Sequence, residues 1–465
     1  MLCWIAILGG LLLMMGHQTR SESLFYYFRV EDHIPENHLL RLIDRHVSFE
    51  FVRAKLRDSY SETGRPSIDP EVLLRILLLG YLYGIASERK LVEELRMHLA
   101  WRWFTGLSFD QEIPNHSTFS KNRHGRFQES NLFQEMFERI VDQCIQAGLV
   151  QGEHMSVDGS FIPANANNES RIPREQLPEA AQVKRTVREY LAELEEQNGD
   201  GEPQPVHQQE KVSTTDPDAT YASKGTMIAT LGYYDNYLVD NASCVIVGVQ
   251  ATAARLSQES AAARAMLTRF HQRQGCYPHS LAADTTYGNG EMLHWLVERE
   301  ITPYIRVKEC PLPKRNLYGL EKFPYDADNN RYLCPAGKQL TYVGINARNR
   351  THVYASTPKR CRDCPQKSAC TTGRCRFLAV HIHEPARQRA YEIAKTPEFR
   401  KSQRERRKVE ALFAELKNQI GLRRLRLRRM RFVREQFYLA AAVQNLKRLV
   451  RFLAGRPLPP LAATA

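Results

Sequence analysis

Apolar residues recur at three- and four-residue steps through most of the chain up to about residue 145, a pattern typical of amphipathic helices. Asp69 predicts the start of one helix and Ser87 the start of the next. A third, shorter helix capped by Ser117 would present the cationic residues Lys121 and Arg123. This succession fits a helix-turn-helix-like DNA-binding unit, and it fits equally well an ordinary helical bundle with a solvated basic face.

Short β-rich runs alternate with helical runs in the rest of the chain, and this alternation predicts an α/β fold. We therefore expect a helical N-terminal domain at residues 23–150 and an α/β domain at residues 151–455. The α/β domain would carry a polar surface insert at residues 169–220 and a cysteine-rich insert at residues 330–378.

Residues 1–22 begin with an apolar stretch that has no basic residues before it and no convincing cleavage site after it. We expect a spurious or disordered extension, with Met14 or Met15 as the true start; a weak membrane anchor is the alternative. No run of eighteen apolar residues occurs, so we expect no spanning helix and no membrane partner.

Positive charge is concentrated near the C-terminus of this chain of 465 residues and net charge +13. Residues 387–456 contain 21 Lys and Arg against 6 Asp and Glu, which indicates a polyanionic partner bound in one place. We expect Arg423, Arg424 and Arg426 to bind phosphate while the apolar residues between the arginines pack on the core. An amphipathic helix on a membrane surface is the alternative.

Three carboxylates have the placement of a metal site. Asp158 lies within a predicted strand, Asp284 ends another, and Glu410 lies on a long helix, so all three could meet at one edge of the sheet. Oxygen ligands suit Mg²⁺ or Mn²⁺, and two such ions can activate water or a 3′-hydroxyl at a phosphodiester. Arg406 and Lys417 share a helix face with Glu410 and could contact phosphate, although routine ion pairs on a surface helix would give the same pattern.

Four of the ten cysteines fall within fifteen residues, which favours a metal site in a reducing compartment over disulfides. We predict a structural Zn²⁺ site that would fold a short, loop-rich insert unable to bury a core of its own. The predicted ligands are Cys334, Cys361, Cys364 and Cys370, with Cys375 as the substitute. Free thiols are the alternative.

Sequence motifs around the three acids resemble those of the DDE transposases of bacterial insertion sequences. The motifs are SVDGSFIPANA around Asp158, AADTTYGNGE around Asp284 and RRKVEALFAELKNQIGLRRLR around Glu410. GRPSIDPEVLLRILLLGYLYG is similar to the helical N-terminal domain of that family, and the cysteines resemble those of a subgroup with a cysteine-rich insert before the glutamate.

The family pattern around the third acid places a Tyr, an Arg and a Lys at fixed distances from it. Arg406, Glu410 and Lys417 match this pattern, whereas Gln403 occupies the Tyr position. The resemblance implies an RNase H-like catalytic core, two divalent metal ions, and cutting and joining of DNA at the element's terminal inverted repeats. It also implies target DNA as a partner, a homo-oligomer assembled on DNA, and a cytoplasmic, nucleoid-associated protein.

Two other functions are compatible with parts of the sequence. His381, Ile382 and His383 fit the metal motif of single-strand endonucleases, with Tyr391 as the nucleophile, and the two histidines would share a face of one strand. A non-catalytic DNA-binding regulator derived from a transposase would need only the helical domain and the basic tail, the positively charged segment of residues 387–456. No phosphate-binding loop motif is present, so ATP use is not supported.

Overall fold

The computed structural model describes residues 29–60, 67–198, 209–223, 228–254, 258–308 and 317–455. The expected extension at residues 1–22 lies outside these residues. No helix within the described ranges is both long enough and apolar enough to cross a membrane.

Sixteen α-helices and thirteen strands are present in the described residues. The helices are α1 (Leu39–His46), α2 (Phe51–Leu56), α3 (Pro70–Leu82), α4 (Glu88–Met97), α5 (Leu99–Thr105), α6 (His116–Asn122), α7 (Leu132–Gln146), α8 (Leu177–Val183), α9 (Arg185–Asn198), α10 (Glu259–Gln274), α11 (Gly290–Glu298), α12 (Pro358–Arg362), α13 (Lys367–Cys370), α14 (Glu384–Ile393), α15 (Pro397–Asn418) and α16 (Met430–Ala454). The strands are β1 (His154–Pro163), β2 (Arg171–Pro173), β3 (Lys211–Ser213), β4 (Thr220–Ala222), β5 (Thr230–Asp240), β6 (Ile246–Ala253), β7 (Ser280–Ala282), β8 (Thr302–Tyr304), β9 (Tyr325–Asp326), β10 (Arg331–Leu333), β11 (Gln339–Asn346), β12 (Thr351–Ala355) and β13 (Phe377–His381).

The helical N-terminal region begins its helices largely where the capping residues predict. The Asp69 carboxylate accepts a hydrogen bond from the Glu71 N–H at 2.8 Å, and Ser87 accepts one from the Lys90 N–H at 3.3 Å. The third predicted cap is wrong, because Asn115 rather than Ser117 caps α6 and accepts a hydrogen bond from the Ser117 N–H at 3.0 Å. An asparagine is as good an N-cap as a serine, so local preference did not decide between the two residues.

The main sheet has the order β6–β5–β1–β7–β8, with β4 paired to the beginning of β5. β1, β5 and β6 are antiparallel neighbours, whereas β7 and β8 run parallel to β1. β5 and β6 thus form an antiparallel hairpin. The register places Asp158 opposite Tyr237 on β5, so the acid lies near the middle of the sheet.

The C-terminal helix α16 connects the sheet to the N-terminal helices, because it packs against β6 on one side and against α7, α1 and α3 on others. Its Asn445 amide donates to the Ile246 carbonyl at 2.8 Å and accepts from the Ile246 N–H at 2.9 Å, which fixes the helix against β6. The apolar part of the basic tail is thus buried in the core, as predicted.

The residues between α15 and α16 are not helical, although their leucines and arginines recur at helical steps. α15 ends at Asn418 with Gln419 as its C-cap, and Gly421 follows with φ of 73°. The segment then runs alongside the end of β1, where the Leu425 N–H donates to the Pro163 carbonyl at 2.9 Å. Hydrogen bonds to another element thus replace those of a continued helix.

The cysteine-rich segment forms an antiparallel sheet of order β13–β12–β11–β10–β9. The expectation of a loop-rich insert without a core is wrong, because this sheet buries its own apolar cluster around Leu340, Leu378 and Val380. The strands are two to eight residues long, and their alternation is too short to stand out in the sequence.

The described part of the polar insert contains the β2–β3 pair, α8 and α9. Its small apolar cluster includes Val187 and Tyr190. Arg429 lies at the end of the segment between α15 and α16. Its buried guanidinium holds the insert to this segment, because it pairs with Asp218 at 2.8 Å and with Glu193.

Candidate active site

Asp158 and Asp284 come from neighbouring parallel strands of the main sheet. Asp158 lies within β1 and accepts a hydrogen bond from the Gly159 N–H at 2.8 Å. Asp284 follows β7 by two residues and accepts one from the Thr286 N–H at 2.8 Å, which begins a short turn of 3₁₀-helix. Because β1 and β7 are hydrogen-bonded neighbours, the fold brings two acids that are far apart in the sequence to one part of the sheet.

Helix α15 supplies the third acid. Thr396 caps its first turn and accepts a hydrogen bond from the Phe399 N–H at 3.2 Å, with Pro397 at the first position. Farther along, Phe413 stacks on Tyr237 of β5 with ring centroids 4.6 Å apart. This contact seats the helix across the sheet, and Glu410, one turn earlier, is more than half exposed at its side.

All three acids line one open cavity of about 610 Å³. The same cavity is lined by three of the predicted DNA-binding cations, Arg406, Lys417 and Arg423. An acidic and a cationic set thus face a common space, which could hold a divalent cation and a phosphate group side by side.

Arg406 lies between two of the acids. One guanidinium nitrogen, Nη1, donates to Asp158 Oδ2 at 2.8 Å, and Nη2 donates to Glu410 Oε1 at 3.3 Å. The side chains of Asp158 and Arg406 are each 17% exposed, so this ion pair is partly shielded from water. The arginine therefore neutralises the acids in this arrangement.

The donor set fits a hard divalent cation, because the acids offer only oxygen ligands and share one open cavity. As they stand, however, no three His, Cys, Asp or Glu side chains of the described residues are grouped closely enough to hold an ion. At the acids, the guanidinium of Arg406 takes up one oxygen of Asp158 and one of Glu410.

One side chain that the sequence did not single out, Tyr287, lies close to the acids. The hydroxyl of Tyr287 is buried without a hydrogen-bond partner among the described residues. Burial raises the pKa of Tyr287, and the charges of Asp158, Asp284 and Glu259 raise it further. Tyr287 stands three residues after Asp284 in the motif DTTYG, and that spacing is the only sequence signal that could have pointed to it.

Gln403 occupies the position of the family's Tyr and holds α15 to the sheet. Its amide donates to the Tyr304 carbonyl at 2.6 Å and to the Ala283 carbonyl at 3.2 Å. Tyr304 ends β8, and Ala283 directly precedes Asp284. Gln403 therefore fixes the helix next to the second acid.

The other predicted DNA-binding residues lie apart from the cavity. Arg424 donates to the carbonyls of Ala164 and Ala166, and Arg426 donates to the Ile420 carbonyl at 3.1 Å. Arg123 is buried and pairs with Glu88 at 2.5 Å, whereas Lys121 is exposed on α6. Contacts within the protein thus engage Arg123, Arg424 and Arg426, and the DNA contacts of these residues and of Lys121 stay a prediction.

The four predicted zinc ligands are free cysteines in the segment that forms the small sheet β9–β13. Burial raises the pKa of the Cys370 thiol, Arg376 opposes this, and the neighbouring thiols of Cys334, Cys361 and Cys364 raise it further. The Lys338 N–H also donates to the Cys334 sulfur at 3.2 Å. The four thiols are therefore neighbours, but they do not form a ligand group as they stand, and the zinc site stays a prediction.

The two histidines of the rival endonuclease motif do not share a strand. His381 ends β13, whereas His383 lies beyond it and stacks on His294 of α11 with ring centroids 4.0 Å apart. Burial lowers the pKa of both His381 and His383. The expectation of two histidines on one strand face is thus wrong, because the chain turns into α14 directly after His381.

Comparisons with known proteins agree with the sequence motifs. The fold is that of a mixed α/β protein with a helical N-terminal region. Residues 28–125 match the family model described as a transposase domain (DUF772), and residues 333–450, which include Glu410, match the one described as a transposase DDE domain. The two matches indicate a DDE transposase of the insertion-sequence type.

Among solved structures, the chain is similar to a piggyBac transposase in a synaptic complex with hairpin DNA. The two share 10% sequence identity over 91% of this chain and 82% of that one, with a TM-score of 0.33. This similarity is too low to support a conclusion. No curated protein matches the chain.

Proposed function

We propose that this transposase cuts and joins DNA at the terminal inverted repeats of its element, with Asp158, Asp284 and Glu410 as its catalytic acids. The observation that carries the proposal is the common cavity, which three acids from distant parts of the sequence line together with three cations. The order β6–β5–β1–β7–β8, with the first three strands antiparallel and the last two parallel to β1, supports an RNase H-like core.

The three acids would hold two Mg²⁺ or Mn²⁺ ions. When bound, such ions polarise the phosphodiester, activate the attacking oxygen and stabilise the leaving oxygen. Water would attack first and release a DNA 3′-hydroxyl, and that hydroxyl would then attack the target strand, so one P–O bond forms as another breaks. This transesterification conserves the bond and needs no ATP.

The cations of the cavity would position the DNA backbone. Lys417 and Arg423 line the same space as the acids and would contact the phosphate next to the scissile bond. Arg423 already donates to Asn418 Oδ1 at 2.6 Å, which aims its guanidinium along the end of α15. The partners are thus the terminal repeats and the target DNA, on which we expect copies of this chain to assemble as a homo-oligomer.

The test is a strand-transfer assay in Mn²⁺ with a labelled duplex that carries the terminal inverted repeat of the element. Asp158→Asn, Asp284→Asn and Glu410→Gln should each lose transfer to background while binding to the labelled end is retained, because each change removes a ligand charge but keeps the shape. Glu398→Gln, at an exposed acid near the start of α15, is the matched control and should transfer normally.

Retained transfer in any one of the three variants would remove that residue from the site. If the folded wild-type protein binds the repeat but cuts nothing, the non-catalytic regulator becomes the better description.

A further inference from the structure

The positively charged guanidinium of Arg406 lies between two of the acids, in the position that a metal ion would take. It bridges Asp158 at 2.8 Å and Glu410 at 3.3 Å, and its Nε is buried without a hydrogen-bond partner among the described residues. Resting on the proposed function, we propose that Arg406 is an internal counter-ion that holds these acids until a DNA phosphate draws it away. Metal loading and DNA binding at this cavity would then favour each other.

Electrostatics gives the first half of this coupling. A divalent ion between Asp158 and Glu410 would lie next to a guanidinium that already uses one oxygen of each carboxylate. Both the repulsion and the competition for oxygens lower the affinity for the ion while Arg406 stays in place. The shielding of this pair from water makes the effect larger than it would be on an open surface.

The chemistry of the guanidinium gives the second half. A phosphodiester offers an arginine the same two-oxygen partner that a carboxylate does, so a DNA backbone in the cavity competes for Arg406. Lys417 and Arg423 line the cavity as well and would bring such a phosphate within reach. Once the arginine turns to the phosphate, both acids are available to the metal.

Linkage makes the coupling reciprocal: if DNA raises the affinity for the ion by some factor, the ion raises the affinity for DNA by the same factor. Such couplings typically amount to about fivefold or more. The arginine is therefore a positioning residue whose removal should act on metal binding even when no DNA is present.

The first measurement is Mn²⁺ binding to the full chain without DNA, by isothermal titration calorimetry. Arg406→Gln should bind Mn²⁺ about fivefold or more tightly than the wild type, because the competing cation is gone. Arg406→Lys keeps the charge but cannot bridge two carboxylates, so its affinity for Mn²⁺ should lie between those of the wild type and Arg406→Gln. Arg407→Gln removes the same charge from the neighbouring exposed position and should change nothing.

The second measurement is the affinity for a fluorescent DNA duplex by anisotropy, with and without Ca²⁺. Ca²⁺ should tighten DNA binding by the wild type and by Arg407→Gln, and this effect should shrink in Arg406→Gln. Direct binding of Ca²⁺ to the duplex is the same in all samples. The difference between variants in the effect of Ca²⁺ therefore reports the contribution of the protein.

Asp158→Asn separates failure of this proposal from failure of the proposed function. If Asp158→Asn weakens Mn²⁺ binding but Arg406→Gln leaves it at the wild-type value, the counter-ion role is wrong and the metal site stands. If neither change alters Mn²⁺ binding, the acids hold no ion, and both proposals are overturned.

Discussion

The carboxyl group of Glu435 is buried on α16, and neither of its oxygens has a hydrogen-bond partner within the described part of the chain. Burial raises its pKa from 4.5 to about 8, against the opposing charges of Arg123 and Arg431. The folded protein therefore keeps a proton that the unfolded chain releases. This group's contribution to stability is fully present below pH 4.5 and is lost as the pH rises toward 8.

Glu435→Gln should remove this pH dependence, because the amide keeps the shape and carries no charge. We expect the variant to gain stability relative to the wild type by at most about 1.4 kcal/mol per pH unit between pH 5 and 8. Urea denaturation at pH 5.5 and pH 8 measures the gain. The exposed Glu398→Gln should show no such trend, and an equal difference at both pH values for Glu435→Gln would refute the assignment.

The sequence predicts the residues of the cavity better than those of the basic tail. Asp158, Asp284 and Glu410 stand out because acids in strands and on an arginine-rich helix need a reason to be there. The sequence does not indicate in the same way which groups an arginine will contact. Arg424 donates to backbone carbonyls more than 250 residues away in sequence, and only the folded chain reveals that contact.

At the scale of elements, two glycines allow the end of α3 to touch the end of α15. Gly84 has φ of 69°, and a side-chain carbon added there would collide with the Gln419 carbonyl oxygen. Gly421 has φ of 73° and faces the Gly84 carbonyl in return. The N-terminal helices are thus fixed next to the helix that carries Glu410.

Gly84→Ala should destabilise the protein, through both the left-handed backbone and the collision. Gly106→Ala is the matched control, because Gly106 has φ of 71° but nothing within 4 Å of the added carbon. We expect the free energy of unfolding to fall about 1–3 kcal/mol further for Gly84→Ala than for Gly106→Ala. Equal losses in urea denaturation would show that the contact between the two helix ends contributes nothing.

Helix starts were readable from the sequence, whereas the pairing of the short strands β9–β13 was not. Asp69 and Ser87 cap helices as predicted, because a cap acts within three residues of itself. The sheet β9–β13 depends on pairing between short strands, and such contacts leave little trace in local alternation. The metal prediction drew attention to the cysteines, but it gave no information on the strands around them.

At the scale of the whole molecule, apolar packing divides the described residues unequally. One core extends from Ile34 among the N-terminal helices to Val450 on α16 and includes the main sheet. The small sheet has a separate cluster around Leu340, and the polar insert has a third around Val187. The helical region and the main sheet should therefore unfold together, while the small sheet can open by itself.

Leu340→Ala tests this division, because Leu340 is fully buried in the small cluster. Removing a buried leucine side chain costs about 2–5 kcal/mol, enough to open a cluster of this size. Hydrogen exchange should accelerate in β9–β13 and stay unchanged in β1 and β5. Leu281→Ala, equally buried in β7, should instead accelerate exchange throughout the main core. Faster exchange in β1 after Leu340→Ala would mean that the two sheets form one cooperative unit, in which case the cysteine segment would directly support the cavity that the three acids line.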